Sequence, residues 1–255
     1  MPQTTIYVSP RSLGAHDQRP AAVATNDLAR LFGGRAALAG VSLRIQAART
    51  VALLGSNGAG KTTLLRVLST AIRPSYGSAS VDGLDLGRHA ELVRERVAYL
   101  SHATGLYDDL TARENLRFAA AMLRTPDPAA RVTRALSDVG LAERANDRVR
   151  DYSAGMRKRL ALGRILLGQP SLVLLDEPYA SLDADGMDLV DQLLSAWRSA
   201  GVSVLIASHT TDRLAPFLDG RIVLERGLVS AVSGDGVTAA APGIPGAARA
   251  IEAAR

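Results

Sequence analysis

The stretch Gly55-Ser56-Asn57-Gly58-Ala59-Gly60-Lys61-Thr62-Thr63 constrains this chain more than any other. It follows the apolar run Val51-Ala52-Leu53-Leu54 and opens a segment with Leu64, Leu68 and Ile72 at helical spacing, Leu65 beside them. Strand, glycine loop and helix in that order fit the phosphate-binding pattern G-x-x-x-x-G-K-[ST]. The spacing has a chemical reason. Glycines at 55, 58 and 60 allow positive φ angles, so backbone N–H groups turn toward phosphate oxygens. The positive end of the following helix dipole adds to the same spot. Lys61 is placed to reach β- and γ-phosphates, and the Thr62 hydroxyl to ligate Mg²⁺. The bland alternative is a glycine-rich turn that merely contains Lys and Thr, and the flanking strand and helix argue against it. Binding of a nucleoside triphosphate is expected.

Composition narrows the class. A chain of 255 residues suits one α/β domain with trimmings, and 47% apolar content marks it as globular rather than disordered. Cysteine is absent, which excludes disulfides and leans toward a reducing compartment. No apolar run approaches the roughly 18 residues of a membrane span, and the first residues lack the apolar core of a signal peptide. A soluble or peripheral protein is therefore expected. The net charge of +5 is carried almost wholly by arginine, Lys61 and Lys158 being the only lysines. A basic balance suits nucleic acid or an anionic membrane surface. Here the arginines are scattered and there are only three Phe, with no stacking platform. A solvated face is the better reading, with no nucleic-acid partner.

Along the chain, residues 1 to about 22 are polar with Pro10 and Pro20 and read as a loose extension. The segments 28–38 and 41–45, punctuated by Gly33-Gly34, suggest antiparallel strands. Short strands follow near 78–81 and 85, and another at 96–100. Thr111 with Glu114 fits a capping box, and Asp127-Pro128 starts a second helix that Gly140 ends. Leu172 to Leu175 form an apolar run of the kind buried in a parallel sheet, leading into Asp176-Glu177. A helix striped by Leu189, Leu193 and Trp197 precedes a strand at 202–207, which ends at Ser208-His209; Trp197 reads as core. Strands also fit 221–225 and 228–232. From residue 233 onward Ala, Gly and Pro dominate, suggesting a weakly ordered tail with a short helix at 247–254. Strands alternating with helices predict a doubly wound, mainly parallel sheet with ligands at the carboxyl ends of its strands.

The glycine loop, Asp176 and His209 each follow such an end, so three polar groups are expected on one rim. Asp176 is the candidate Mg²⁺ carboxylate and Glu177 the candidate base for attacking water. His209 is placed to contact the γ-phosphate, the plainer alternative being a structural histidine. Ser153-Ala154-Gly155 at a helix start is a second anion-binding nest. One nucleotide does not need two nests in one chain, which suggests that a second copy completes each site.

Together these motifs resemble the ATP-binding cassette (ABC) ATPases over roughly residues 24–232. The resemblance implies a P-loop fold in which a mainly parallel sheet is joined by an antiparallel β subdomain and a helical subdomain at about 106–165. It makes 23–232 the ATPase domain. Gly55 to Thr63 looks like the Walker A loop and Leu172 to Asp176 like the Walker B strand, with Glu177 the base. Tyr152 to Met156 looks like the signature, Ala180 to Asp183 like the D-loop, and His209 like the switch histidine. Phe32 falls where the family stacks an aromatic on adenine, the alternative being a strand-edge packing residue. The implied ligands are ATP and Mg²⁺, and the implied partners are a second copy and integral membrane subunits at the cytoplasmic face. Two departures stand out: Ala154 and Met156 replace Gly and Gln in the signature while Ser153 and Gly155 are kept, and His102 replaces a glutamine. An imidazole can ligate or hydrogen-bond there, with shorter reach. The segments Leu100 to Tyr107 and Leu110 to Leu116 are similar to the haem-exporter ATPases of cytochrome c maturation, which makes haem export the expected work. An exporter of drugs, antibiotics or polysaccharide is the first rival. A soluble ABC ATPase acting on DNA or ribosomes would carry a coiled-coil insertion or tandem cassettes, and neither is present.

Overall fold

The computed structural model describes residues 6, 8, 19–209 and 211–240. In chain order the strands and helices are β1 (Val23–Phe32), β2 (Arg35–Ile45), β3 (Thr50–Leu54), α1 (Lys61–Leu68), β4 (Tyr76–Val81), β5 (Leu84–Asp85), α2 (Ala90–Arg94) and β6 (Val97–Leu100). Then come α3 (Ala112–Met122), α4 (Pro128–Asp138), α5 (Ala154–Leu166), β7 (Leu172–Asp176), α6 (Ala184–Ser199), β8 (Ser203–Ala207), β9 (Gly220–Glu225), β10 (Leu228–Gly234) and β11 (Val237–Ala239).

Two sheets result. The larger runs β10-β9-β3-β8-β7-β6, parallel from β6 through β9 with β10 antiparallel at the edge. The smaller, antiparallel sheet runs β11-β2-β1-β4-β5. Alternation along each central strand decides what covers the larger sheet. Leu172, Leu174, Leu205 and Ala207 face α1 and the smaller sheet, packing with Leu64, Leu65, Leu68 and Val41. Val173, Leu175, Val204 and Ile206 face the other way, into a core built from α3, α4, α5 and α6. Both faces are buried, which is why these strands are apolar throughout.

The caps are local and legible. The Thr111 side chain accepts from Glu114 N–H while Glu114 reaches back to Thr111 N–H, a complete capping box at α3. Ser153 caps α5 and Asp183 caps α6, each accepting an N–H three residues on.

The chain differs from expectation at both ends. β10 runs to Gly234, and β11 pairs Val237, Thr238 and Ala239 with Ile45, Arg44 and Leu43 of β2. Residues 233–239 are therefore part of the folded unit and not a loose tail, because Val237 is apolar and finds a buried place beside Ile45. The helix expected at 247–254 lies outside the described residues. At the other end Ile6 is buried and Val8 packs against the helical core. These two apolar residues of the expected loose extension have partners that no local pattern announced. Among the described residues no helix is long and apolar enough to cross a membrane.

Trp197 on α6 is 1% exposed at the centre of the helical core. Trp197→Ala leaves a cavity there and is expected to cost about 3–5 kcal/mol of stability. Urea unfolding checks this, and an unchanged midpoint would contradict the packing described.

Candidate nucleotide-binding site

The register of the central strands builds the site. Asp176, the last residue of β7, lies opposite Ala207 of β8, and Ala207 lies opposite Leu53 of β3. The loops leaving these three strands begin at Gly55, Glu177 and Ser208, so they emerge on one rim. A cavity of about 450 Å³ opens there, lined by Phe32, Ala37, Asn57 to Thr63, His102, Asp176, Glu177 and His209.

The glycine loop is shaped for a close approach. Gly60 has φ 108°, and a Cβ there would lie 2.5 Å from the Ala37 carbonyl oxygen, so no other residue fits. Gly55 is under the same restriction against Leu224. Lys61 is 8% exposed, and its ammonium donates to the carbonyls of Gly55 (2.7 Å) and Ser56 (3.0 Å), bracing the loop from within. The first helical bond of α1 runs from Leu64 N–H to Gly60 O, and no side chain caps Gly60. The N–H groups of the first turn are thus orphan donors at the cavity, with the helix dipole behind them. This arrangement takes an anion. Thr62 is exposed at the same turn.

Asp176 is 3% exposed, with the Tyr99 hydroxyl 3.5 Å from Oδ2. Burial, then the neighbouring Asp176 carboxylate, pushes the Tyr99 phenol well above its ordinary value, so the tyrosine stays a neutral donor. Among the described residues no group of three or more His, Cys, Asp or Glu forms a ready metal cage. One carboxylate and one hydroxyl on one cavity fit Mg²⁺, which binds few protein ligands and keeps phosphate oxygens and waters for the rest.

Glu177 stands in the left-handed region, φ 50°. Its N–H donates to Ala207 O at 2.8 Å, and its carbonyl accepts from the Lys158 ammonium at 2.7 Å and Ala180 N–H at 3.2 Å. Its carboxylate meets His209 twice, from the backbone N–H to Oε2 and from Nε2 to Oε1, both at 3.4 Å. The Nε2 approach is a contact rather than a hydrogen bond, and Oε1 is buried without a donor among the described residues. Phe32 is 43% exposed on the cavity wall, with the Arg30 guanidinium 4.7 Å from its ring centroid.

Of the residues expected at the site, the fold brings to the cavity Phe32, Asn57 to Thr63, His102, Asp176, Glu177 and His209, while Gly55 and Ser56 do not line it and instead hold Lys61 by their carbonyls. Ser153, Gly155 and Asp183 do not line the cavity. Ser153 is exposed at the tip of α5, Gly155 sits close to Ser181 O, and Asp183 caps α6 with Arg159 3.5 Å away. Two features were missed. Lys158 is 4% exposed beneath Glu177; burial lowers its proton affinity while Asp176 and Glu177 raise it. Its signal in the sequence was being the only lysine besides Lys61. The second is a clamp on Asp191 of α6, which accepts from the Tyr179 hydroxyl at 2.6 Å and from Arg213 Nε at 2.8 Å. It ties the segments following β7 and β8 to one helix, and no short pattern links residues so far apart.

Comparisons with known proteins agree with this geometry. A family model described as ABC transporter matches residues 38–180. The chain is 40% identical over 192 residues to the cytochrome c biogenesis ATP-binding export protein CcmA of Bordetella bronchiseptica, covering 74% of this chain and 84% of that protein. It is 35% identical over 213 residues to the daunorubicin resistance ATP-binding protein DrrA3 of Streptomyces coeruleorubidus, covering 80% and 67%. A solved dimeric structure of MJ0796, a bacterial ABC transporter cassette, superposes with a TM-score of 0.75 at 25% identity, covering 83% of this chain and 98% of that one. A glycine loop opening a helix, an acidic strand end and a histidine on one rim are thus joined to a family match over more than half of the chain, and the chain belongs to the ABC transporter ATP-binding family.

Proposed function

We propose that this chain is the ATP-hydrolysing subunit of a membrane exporter of the cytochrome c assembly type, with haem export as the work it drives. Its family carries ATP hydrolysis coupled to transport. The finer reading is supported by the identity with CcmA and by the Leu100 to Tyr107 segment, in which His102 reaches the cavity.

One observation carries the catalytic part: Glu177 Oε1 is buried without a donor among the described residues at a cavity that also holds Lys61 and the open end of α1. A carboxylate in that state accepts a proton from an attacking water. Lys61 and the loop amides from Asn57 to Thr63 hold the phosphates, Phe32 stacks on the base, and His209 and His102 reach the γ-phosphate side. Thr62 and Asp176 would hold Mg²⁺, which when bound offsets phosphate charge. Ser153, Gly155 and Asp183 do not line their own cavity, so a second copy head to tail supplies them to the nucleotide. ATP then favours the closed pair because it contacts both faces.

The membrane partner has a surface that suits it. A groove of about 350 Å³ is lined by Tyr107, Phe118, Met122 and Leu123, all exposed, with Tyr107 and Phe118 edge to face at 5.1 Å. Exposed apolar clusters of this kind mark docking sites. Buried Asn115 fixes the loop beside it, accepting from Tyr107 N–H at 2.8 Å and donating to Tyr107 O at 3.0 Å. His102 at the cavity and Tyr107 at the groove share that loop, a short path from nucleotide to partner. The protein would then sit peripherally at the cytoplasmic face of the membrane. A drug-exporting system is the second reading, supported by the DrrA3 identity.

Three outcomes are expected. Lys61→Ala raises the Kd for ATP about 10–100-fold in a nucleotide titration, the range of a lost charge-assisted hydrogen bond, and Lys61→Arg does not restore it because the longer, wider guanidinium does not fit the buried seat that the ammonium occupies against Gly55 and Ser56. Unchanged affinity would remove the assigned cradle. Glu177→Gln keeps ATP affinity, accumulates as a dimer on size exclusion and loses turnover by about 100-fold or more; normal hydrolysis would refute the base. Tyr107→Glu with Met122→Glu abolishes retention on membranes while ATP binding stays intact. The polytopic proteins copurifying with the tagged native chain separate the two readings: haem-handling proteins support the first, a drug permease the second.

A further inference from the structure

Lys158 has no role in the scheme above, yet it is among the least accessible charged groups of the chain. It lies on α5, is 4% exposed, and is one of only two lysines in a chain otherwise supplied with arginine. Burying an ammonium is costly unless it is paired and hydrogen-bonded; the Asp176 and Glu177 carboxylates favour its charge, and one carbonyl contact fixes its seat. That contact is the main-chain oxygen of Glu177, at 2.7 Å. Glu177 itself is in the left-handed conformation, which side-chain-bearing residues rarely adopt because Cβ crowds the following carbonyl oxygen. Such backbone persists only where its surroundings over-determine it. Here β8 holds the N–H through Ala207, while the carbonyl is held locally by Ala180 N–H and across the interior by Lys158. Arginine, wider and planar, does not suit a single buried carbonyl.

We infer that Lys158 is a positioning residue for hydrolysis: its ammonium, seated on the Glu177 carbonyl, keeps the main chain of Glu177 left-handed and so aims the carboxylate into the nucleotide cavity. The inference rests on Glu177 being the base. Lys158 is not itself part of the cavity lining and reaches it only through the main-chain carbonyl of Glu177, so its loss should disturb orientation and leave nucleotide affinity alone.

The test uses the full chain with Lys158→Met, Lys158→Gln and Lys158→Arg beside Glu177→Gln, measuring ATP affinity, kcat and KM. Lys158→Met is expected to bind ATP within about threefold of wild type and to lose kcat about 10–100-fold, the scale of a small misplacement of a reacting group. Gln, one atom shorter but able to donate to the same carbonyl, recovers part of kcat; Arg, which keeps the charge, does not. That order, Gln above Arg, holds the test even if the Met variant does not fold. Wild-type kcat in Lys158→Met with an inactive Glu177→Gln overturns the positioning role alone, as does Arg above Gln, or a loss of kcat and affinity together that Gln does not relieve. Normal turnover by Glu177→Gln instead overturns the base, and is thereby told apart.

Discussion

Parallel pairing of β7, β8 and β3 is the constraint from which the rest follows. The pairs Asp176 with Ala207 and Ala207 with Leu53 bring three strand ends level, although their loops lie far apart in sequence. Because side chains alternate, the same register sends Leu172 and Leu174 to α1 and Val173 and Leu175 to the helical core. A slip of one residue would exchange those faces and also part the rim groups. Core packing and site geometry are therefore two results of one register.

The rim collects unmet hydrogen-bonding capacity of opposite kinds. On one side are the orphan N–H groups of α1, which call for an anion; on the other are buried Asp176 and the free Oε1 of Glu177, which call for a cation or a proton. A magnesium-bound triphosphate and its attacking water satisfy both. Among the described residues Tyr99 and the His209 N–H meet only part of this capacity, which gives the site its chemical demand.

The two lysines and the arginines divide the electrostatic work. Lys61 and Lys158 are both buried and both seated on main-chain carbonyls of the residues that shape the rim. Arginines such as Arg157 with Asp108 and Arg150 with Asp109 make ion pairs open to solvent, each contributing about 0–1 kcal/mol. A compact ammonium fits a gap between strand loop and helix, where a guanidinium serves better on planar carboxylates.

Much of this was legible in the sequence because it is written over short distances. The glycine loop, the capping box of Thr111 and Glu114, the helix start at Ser153 and the stripe ending in Trp197 each need only a few neighbouring residues, and their local physics prevails in the fold. The tertiary structure alone decided that Val237 joins β2, that Ile6 is buried, and that Ser153 and Gly155 at the start of α5 are not among the residues lining the cavity. It alone set Lys158 beneath Glu177 and gave that glutamate its left-handed backbone. These depend on which distant surfaces meet once the sheet closes, and neither periodicity nor capping carries that information.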